Sequence, residues 1–81
     1  MKLIKVKNIK FIGDHQNPKN NKYEEIPNQF TLINPEEISS IQYYESFEMK
    51  QPTYTIMFKG RDPQDIVMTL ELPQGILDLI V

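Results

Sequence analysis

Residues 53–72 read with a period of two. Tyr54, Ile56 and Phe58 alternate with Thr53, Thr55, Met57 and Lys59; past the turn sequence "KGRDPQD", Ile66, Met68, Leu70 and Leu72 alternate with Val67, Thr69 and Glu71. Successive side chains of a strand point to opposite faces, so this pattern, written in β-branched and aromatic residues, specifies two half-buried strands joined as an antiparallel pair. The apolar face of the second strand is Ile66, Met68, Leu70 and Leu72.

The N-terminal stretch alternates too, with a defect. Ile4 and Val6 are separated by Lys5 and Lys7, then Ile9 and Phe11 flank Lys10, so the apolar phase slips by one between Lys7 and Ile9. That slip marks a strand bulged around Asn8, with a polar face made almost wholly of lysine. Residues 13–28, "GDHQNPKNNKYEEIPN", are polar, rich in Asn and Pro and without periodicity, which predicts a long loop. Such loops in small domains are usually disordered or functional, so His15, Lys19, Lys22 and Tyr23 are candidate binding residues. A lone His without a nearby Cys or second His makes a poor metal site, and no metal or cofactor is expected.

The segment "LINPEEISSIQYYES" carries two instructions. Asn34 suits a helix N-cap, Pro35 the first helical position, and Glu36 and Glu37 the positive end of a helix dipole. A continuing helix would need one apolar stripe, yet Ile38, Ile41, Tyr44 and Phe47 lie three apart and drift around the cylinder. Read with period two, Ile41, Tyr43, Phe47 and Met49 share a face, and Gln42, Tyr44, Ser46 and Glu48 share the other. A strand from Ile41 is therefore expected, preceded by a single turn, with Tyr43 in the core and Tyr44 outside. In "PQGILDLIV", Pro73 and the spacing of Ile76, Leu77 and Ile80 predict a short closing helix, which Gly75 weakens by about 1 kcal/mol relative to Ala. The expected fold is α+β: one domain over residues 1–81, built on a small, mostly antiparallel sheet of four to five strands (residues 30–33 among them), with one helical turn in the middle and a short C-terminal helix.

With 81 residues, the chain buries only about 60 to 65% of its unfolded surface on folding. It has no cysteine, so neither disulfides nor a thiolate zinc site supplement the core. Packing or association must do so. A net charge of -2 and a pI near 5.3 stand against general nucleic-acid binding, whose footprint is a pI above about 9. The charge is nonetheless polarised, since Lys2, Lys5, Lys7, Lys10, Lys19 and Lys22 face only Asp14 in the first 22 positions. This is either a solvated lysine face or a phosphate-contacting surface. Lysine or asparagine interrupts every apolar pair of "MKLIKVKNIKF", and no apolar run approaches the roughly 20 residues that span a bilayer. Neither a secretory signal nor a membrane partner is expected, and a cytoplasmic location is the default.

The succession "FTLINPEEISSI", "TYTIMFKG" and "DIVMTLELPQGILDLI" resembles the FlbD-like family of very small proteins, found in flagellar operons and in related forms encoded by bacteriophages. The shared pattern is Leu-x-Asn-Pro-x-x-Ile-x-x-Ile over residues 32–41, a Thr-x-Ile-x-Phe strand ending in a glycine turn over residues 55–60, and a strand leading through Glu-x-Pro into a short Leu/Ile helix over residues 66–80. Somewhat over half the chain is covered. Residues 13–28 and "KGRDPQD" are longer than the pattern, and Leu72 replaces its usual serine cap. The resemblance implies a non-enzymatic regulatory or accessory protein of phage derivation, with no catalytic residues to carry over.

The residues themselves lead to the same class. Nucleophilic catalysis needs Ser or Cys beside His, and the glycines Gly13, Gly60 and Gly75 are isolated instead of forming a phosphate loop. The expected function is a protein-interaction module that binds a host or partner protein and self-associates, with Tyr44 and Tyr23 as rigid aromatic contacts. One alternative is an oligomer that sequesters a nucleotide or other small anion through Lys7, Lys10, Arg61 and a tyrosine. Another is single-stranded nucleic-acid binding through sheet aromatics, opposed by the acidic remainder of the chain.

Overall fold

In the computed structural model, which describes residues 3–45 and 51–80, the N-terminal half forms a long hairpin. β1 (Ile4–Ile12) pairs antiparallel with β2 (Lys22–Ile33). The register shifts where the apolar phase slips: Lys7 faces Phe30 but Ile9 faces Glu25, so residues 26–29 stand opposite Asn8 alone. The bulge is at Asn8, but its extra residues belong to β2. They suit it. Pro27 has no N–H to offer a ladder, and Asn28 takes φ 62°, a left-handed conformation that Asn tolerates better than most residues. The Thr31 hydroxyl donates to Asn8 Oδ1 at 2.6 Å and ties the two sides together.

The loop expected over residues 13–28 is corrected by this pairing. β2 begins at Lys22, and only residues 13–21 connect the strands. Beyond the bulge the hairpin leaves the core, and neither of its faces is buried there, so no alternation was required of residues 22–28.

At Asn34 the chain turns. Asn34 Oδ1 accepts from the Glu36 N–H at 3.1 Å, Pro35 opens a single 3-10 turn (Pro35–Glu37), and the turn ends where the alternating residues begin. β3 (Ile38–Glu45) starts earlier than the expected Ile41, with a register irregularity at Ser39. Phe47 and Met49, expected to continue it, lie outside the described residues. β4 (Pro52–Phe58) pairs with β3 on one side and β5 (Ile66–Thr69) on the other, both antiparallel. A seven-residue helix, α1 (Gln74–Ile80), closes the described chain.

The single sheet of the sequence reading is thus two: β1–β2, and β3–β4–β5, with β1 running alongside β5. The protein is mostly antiparallel β with a short C-terminal helix, as expected, but divides into two sheets and is mostly β in place of the expected α+β class. The turn at Asn34 leads the chain away from β2, whose outer edge is interrupted by Pro27 and Asn28, and so β3 does not continue the first sheet. Val6 and Ile33 of the hairpin, Ile56 and Phe58 of β4, and Leu72 and Ile76 make the core, with Ile4, Ile38, Ile41, Tyr54, Val67 and Leu77 packed on it.

In β5 the apolar face is not the one that turns inward. Ile56 pairs with Val67 and Tyr54 with Thr69, so Val67 and Thr69 point inward, while Ile66 is 38% exposed. A slip of one residue exchanges the faces of a strand. Thr69 is fully buried, and its hydroxyl donates to the Glu71 carbonyl at 3.2 Å as the strand ends; Leu72 enters the core from beyond it. No helix among the described residues is long and apolar enough to cross a membrane.

Candidate functional site

The cations proposed for anion capture do not converge. Lys7 reaches Glu25 across the hairpin at 3.9 Å, and Lys10 faces Glu24, which Lys22 also approaches at 2.8 Å. The hydrogen bond from Lys22, and then its charge, lower the Glu24 pKa. The polarised sequence is therefore neutralised in space: β2 brings its acids to the lysines of β1. Arg61 is held by Glu37 at 3.1 Å and Asp65 at 3.5 Å, and its guanidinium lies 4.9 Å from the centroid of the Phe58 ring. It clamps the turn before β3 to the turn between β4 and β5, at one end of the β3–β4 pair. Lys5, not singled out from sequence, stands 4.7 Å over Phe30.

Tyr23 serves the hairpin arm. Its ring meets Phe11 edge-on at 5.5 Å, and its backbone exchanges two hydrogen bonds with the Gln51 side chain, the N–H donating at 2.8 Å and the carbonyl accepting at 2.9 Å. Gln51 thereby docks the arm on the start of β4.

The connection over residues 13–21 is built around Asp14. One carboxylate oxygen accepts from the Gln16 and Asn17 amides at 2.9 and 3.2 Å, the other accepts from the Asn20 side chain at 3.1 Å, and the Asp14 amide donates to Asn21 at 2.7 Å. The Asn20 bond first, then the two amides, pull the Asp14 pKa below its ordinary value. Because these bonds favour the ionised form, they are fully present above the ordinary aspartate range and are lost as pH falls through the depressed value. In an NMR acid titration the Gln16 and Asn17 amide shifts are expected to follow one midpoint below that of an unperturbed aspartate. Asp14→Ala should abolish the transition and leave the thermal midpoint nearly unchanged. A midpoint at or above the ordinary value contradicts the clamp. His15 is exposed in this loop, and among the described residues no group of three His, Asp or Glu side chains is arranged to hold a metal ion.

A different surface emerges between β3 and α1. Ile38, Ile41, Tyr43, Tyr54, Ile76 and Leu79 line a mainly apolar groove of about 570 Å³. Tyr43, expected in the core, is 56% exposed on its rim, because its ring packs edge-on against Tyr54 at 5.3 Å while the groove beside it stays unfilled. Its hydroxyl donates to Glu45 Oε2 at 3.0 Å, and this bond first of all raises the phenol pKa. Leu79 forms the opposite rim at 58% exposure. Tyr44 is 65% exposed, as the sequence reading placed it, and sits on the other face of β3. Leu79 was missed because the helical spacing of Ile76, Leu77 and Ile80 reads as a single apolar stripe. The signal was that "ILDLIV" is apolar on more than one side.

Compared with protein-family models, with curated proteins and with solved structures, the chain matches none of them.

Proposed function

We propose that this protein is a non-enzymatic accessory or regulatory module that acts by occupying the surface of a partner protein, through the groove between β3 and α1 with Tyr43 on its rim, and through Tyr44 on the other face of the same strand. The observation that carries this reading is the groove itself, an apolar surface left open between rims that expose Tyr43 and Leu79. An exposed aromatic side chain beside an apolar depression has the composition of an interface hot spot. The resemblance to FlbD-like proteins, including phage-encoded forms, suits the same class. In that motif Asn34 and Pro35 build the turn before β3, so their part in function is to position the strand.

Sequestration of a nucleotide, and binding of single-stranded nucleic acid, both require cations available beside aromatic rings. Lys7 and Arg61 each pair with a carboxylate, and Lys10 stands across from Glu24, which is why protein interaction is the reading preferred.

Capture from a lysate with the tagged full chain, run beside a Tyr43→Ser/Tyr44→Ser variant, tests the proposal. A stoichiometric partner retained by the native chain and reduced at least tenfold by the variant is expected. A partner held equally by both, or none held by either, overturns it.

A further inference from the structure

The two sheets have four outer edges; those of β1 and β5 lie alongside each other, which leaves the edges of β2 and β3 without a neighbouring strand among the described residues. They differ in chemistry. An exposed edge is a template for another strand, and proteins block it with proline, bulges and charged side chains. β2 has all three: Pro27, the bulge over residues 26–29, and Lys22, Glu24 and Glu25. β3, "ISSIQYYE", has no proline, no lysine and one charge, Glu45 at its end; its irregularity at Ser39 leaves residues 40–45 regular.

We infer that the β3 edge pairs antiparallel with the β3 edge of a second copy of this chain, about a two-fold axis at Gln42, joining two three-stranded sheets into one of six strands. Charge and side-chain pairing select that axis. Centred on Gln42, Tyr43 stands opposite Ile41 of the second copy, Ile41 opposite its Tyr43, and Tyr44 opposite its Ser40. Aromatic with β-branched is a favourable cross-strand pair. Each Glu45 then meets Ser39, and the two Glu45 residues lie six positions apart, about 20 Å at roughly 3.4 Å per residue. That exceeds the screening length of about 8 Å at physiological salt. An axis one residue earlier opposes Glu45 to Glu37, and one residue later opposes it to Ile41. The stretch of β2 free of charge and proline, residues 28–33, starts inside the bulge, which leaves four regular residues there against six in β3. Pairing also places the two grooves side by side on one sheet face. The inference rests on β3 being the interacting element, as proposed above, but it does not require a further partner.

Gln42 is exposed in the single chain and lies on the axis, so its substitution reaches the pairing without touching the core. Sedimentation velocity on the full chain across a concentration series is expected to show a mass of two 9.6 kDa chains. Gln42→Lys and Gln42→Glu, each with an unchanged circular dichroism spectrum, should each weaken association at least tenfold, since like charges then face each other across the axis. Mixing the two variants in equal amounts should restore it. A native chain that stays monomeric at several hundred micromolar, or a dimer that neither variant weakens, or variants that fail to rescue each other, overturns the inference. A monomer that still captures a partner through Tyr43 and Tyr44 would sink this pairing and leave the proposed function standing.

Discussion

Ile56→Ala is expected to remove about 3 kcal/mol of folding stability, within the range of roughly 2 to 5 kcal/mol for truncating a buried isoleucine. Ile56 is fully buried in the middle of β4, the central strand of its sheet, opposite Ile41 on one side and Val67 on the other. Its side chain belongs to the core shared by the hairpin, β4 and α1. At roughly 0.05 to 0.15 kcal/mol per residue, a domain of this size holds about 4 to 12 kcal/mol in all, so the loss is a large share. Urea denaturation reads it as a lower midpoint with an unchanged slope. Both proteins must be compared at one chain concentration, since association makes apparent stability concentration-dependent. A loss below 1 kcal/mol would place the centre of the core elsewhere.

Gly75→Leu is expected to cost about 1 to 3 kcal/mol, the usual range for overpacking. A Cβ at Gly75 would stand 3.1 Å from Ile4 Cδ1 and 3.4 Å from its Cγ1, so α1 lies against β1 with no room for a large side chain. The alanine variant separates space from helix propensity. A single methyl asks the end of the Ile4 side chain to give by a few tenths of an ångström, while alanine returns about 1 kcal/mol of helix propensity, and the two nearly offset. Thermal midpoints for a domain of this size fall by about 4 to 8 °C per kcal/mol. Gly75→Leu should thus melt well below the native chain and Gly75→Ala close to it. If both melt as the native chain does, α1 does not dock on β1.

Local instructions were legible because their chemistry acts within a few residues. The cap at Asn34 and the first-turn proline make one turn and no more, since Ile38, Ile41 and Tyr43 cannot line one side of a helix. The slip between Lys7 and Ile9 marks the bulge, although which strand carries the extra residues depends on β2. Tyr44 was read correctly as exposed. Tyr43 was not, because alternation says that two residues share a face without saying whether anything covers it.

The chain by itself determined that β1 and β4 are strands, that a turn precedes β3, and that the C-terminal segment is a short helix with an apolar stripe, for periodicity and capping act within one element. Only the tertiary structure decided that the strands divide into two sheets, that Val67 and Thr69 of β5 face inward, that residues 22–28 continue a solvated hairpin, and that Lys7, Lys10 and Arg61 are matched by carboxylates. Each of these depends on which residue stands opposite which. A one-residue change of register exchanges the faces of a strand and reassigns the partner of every charge, and nothing local opposes it until the strands pair.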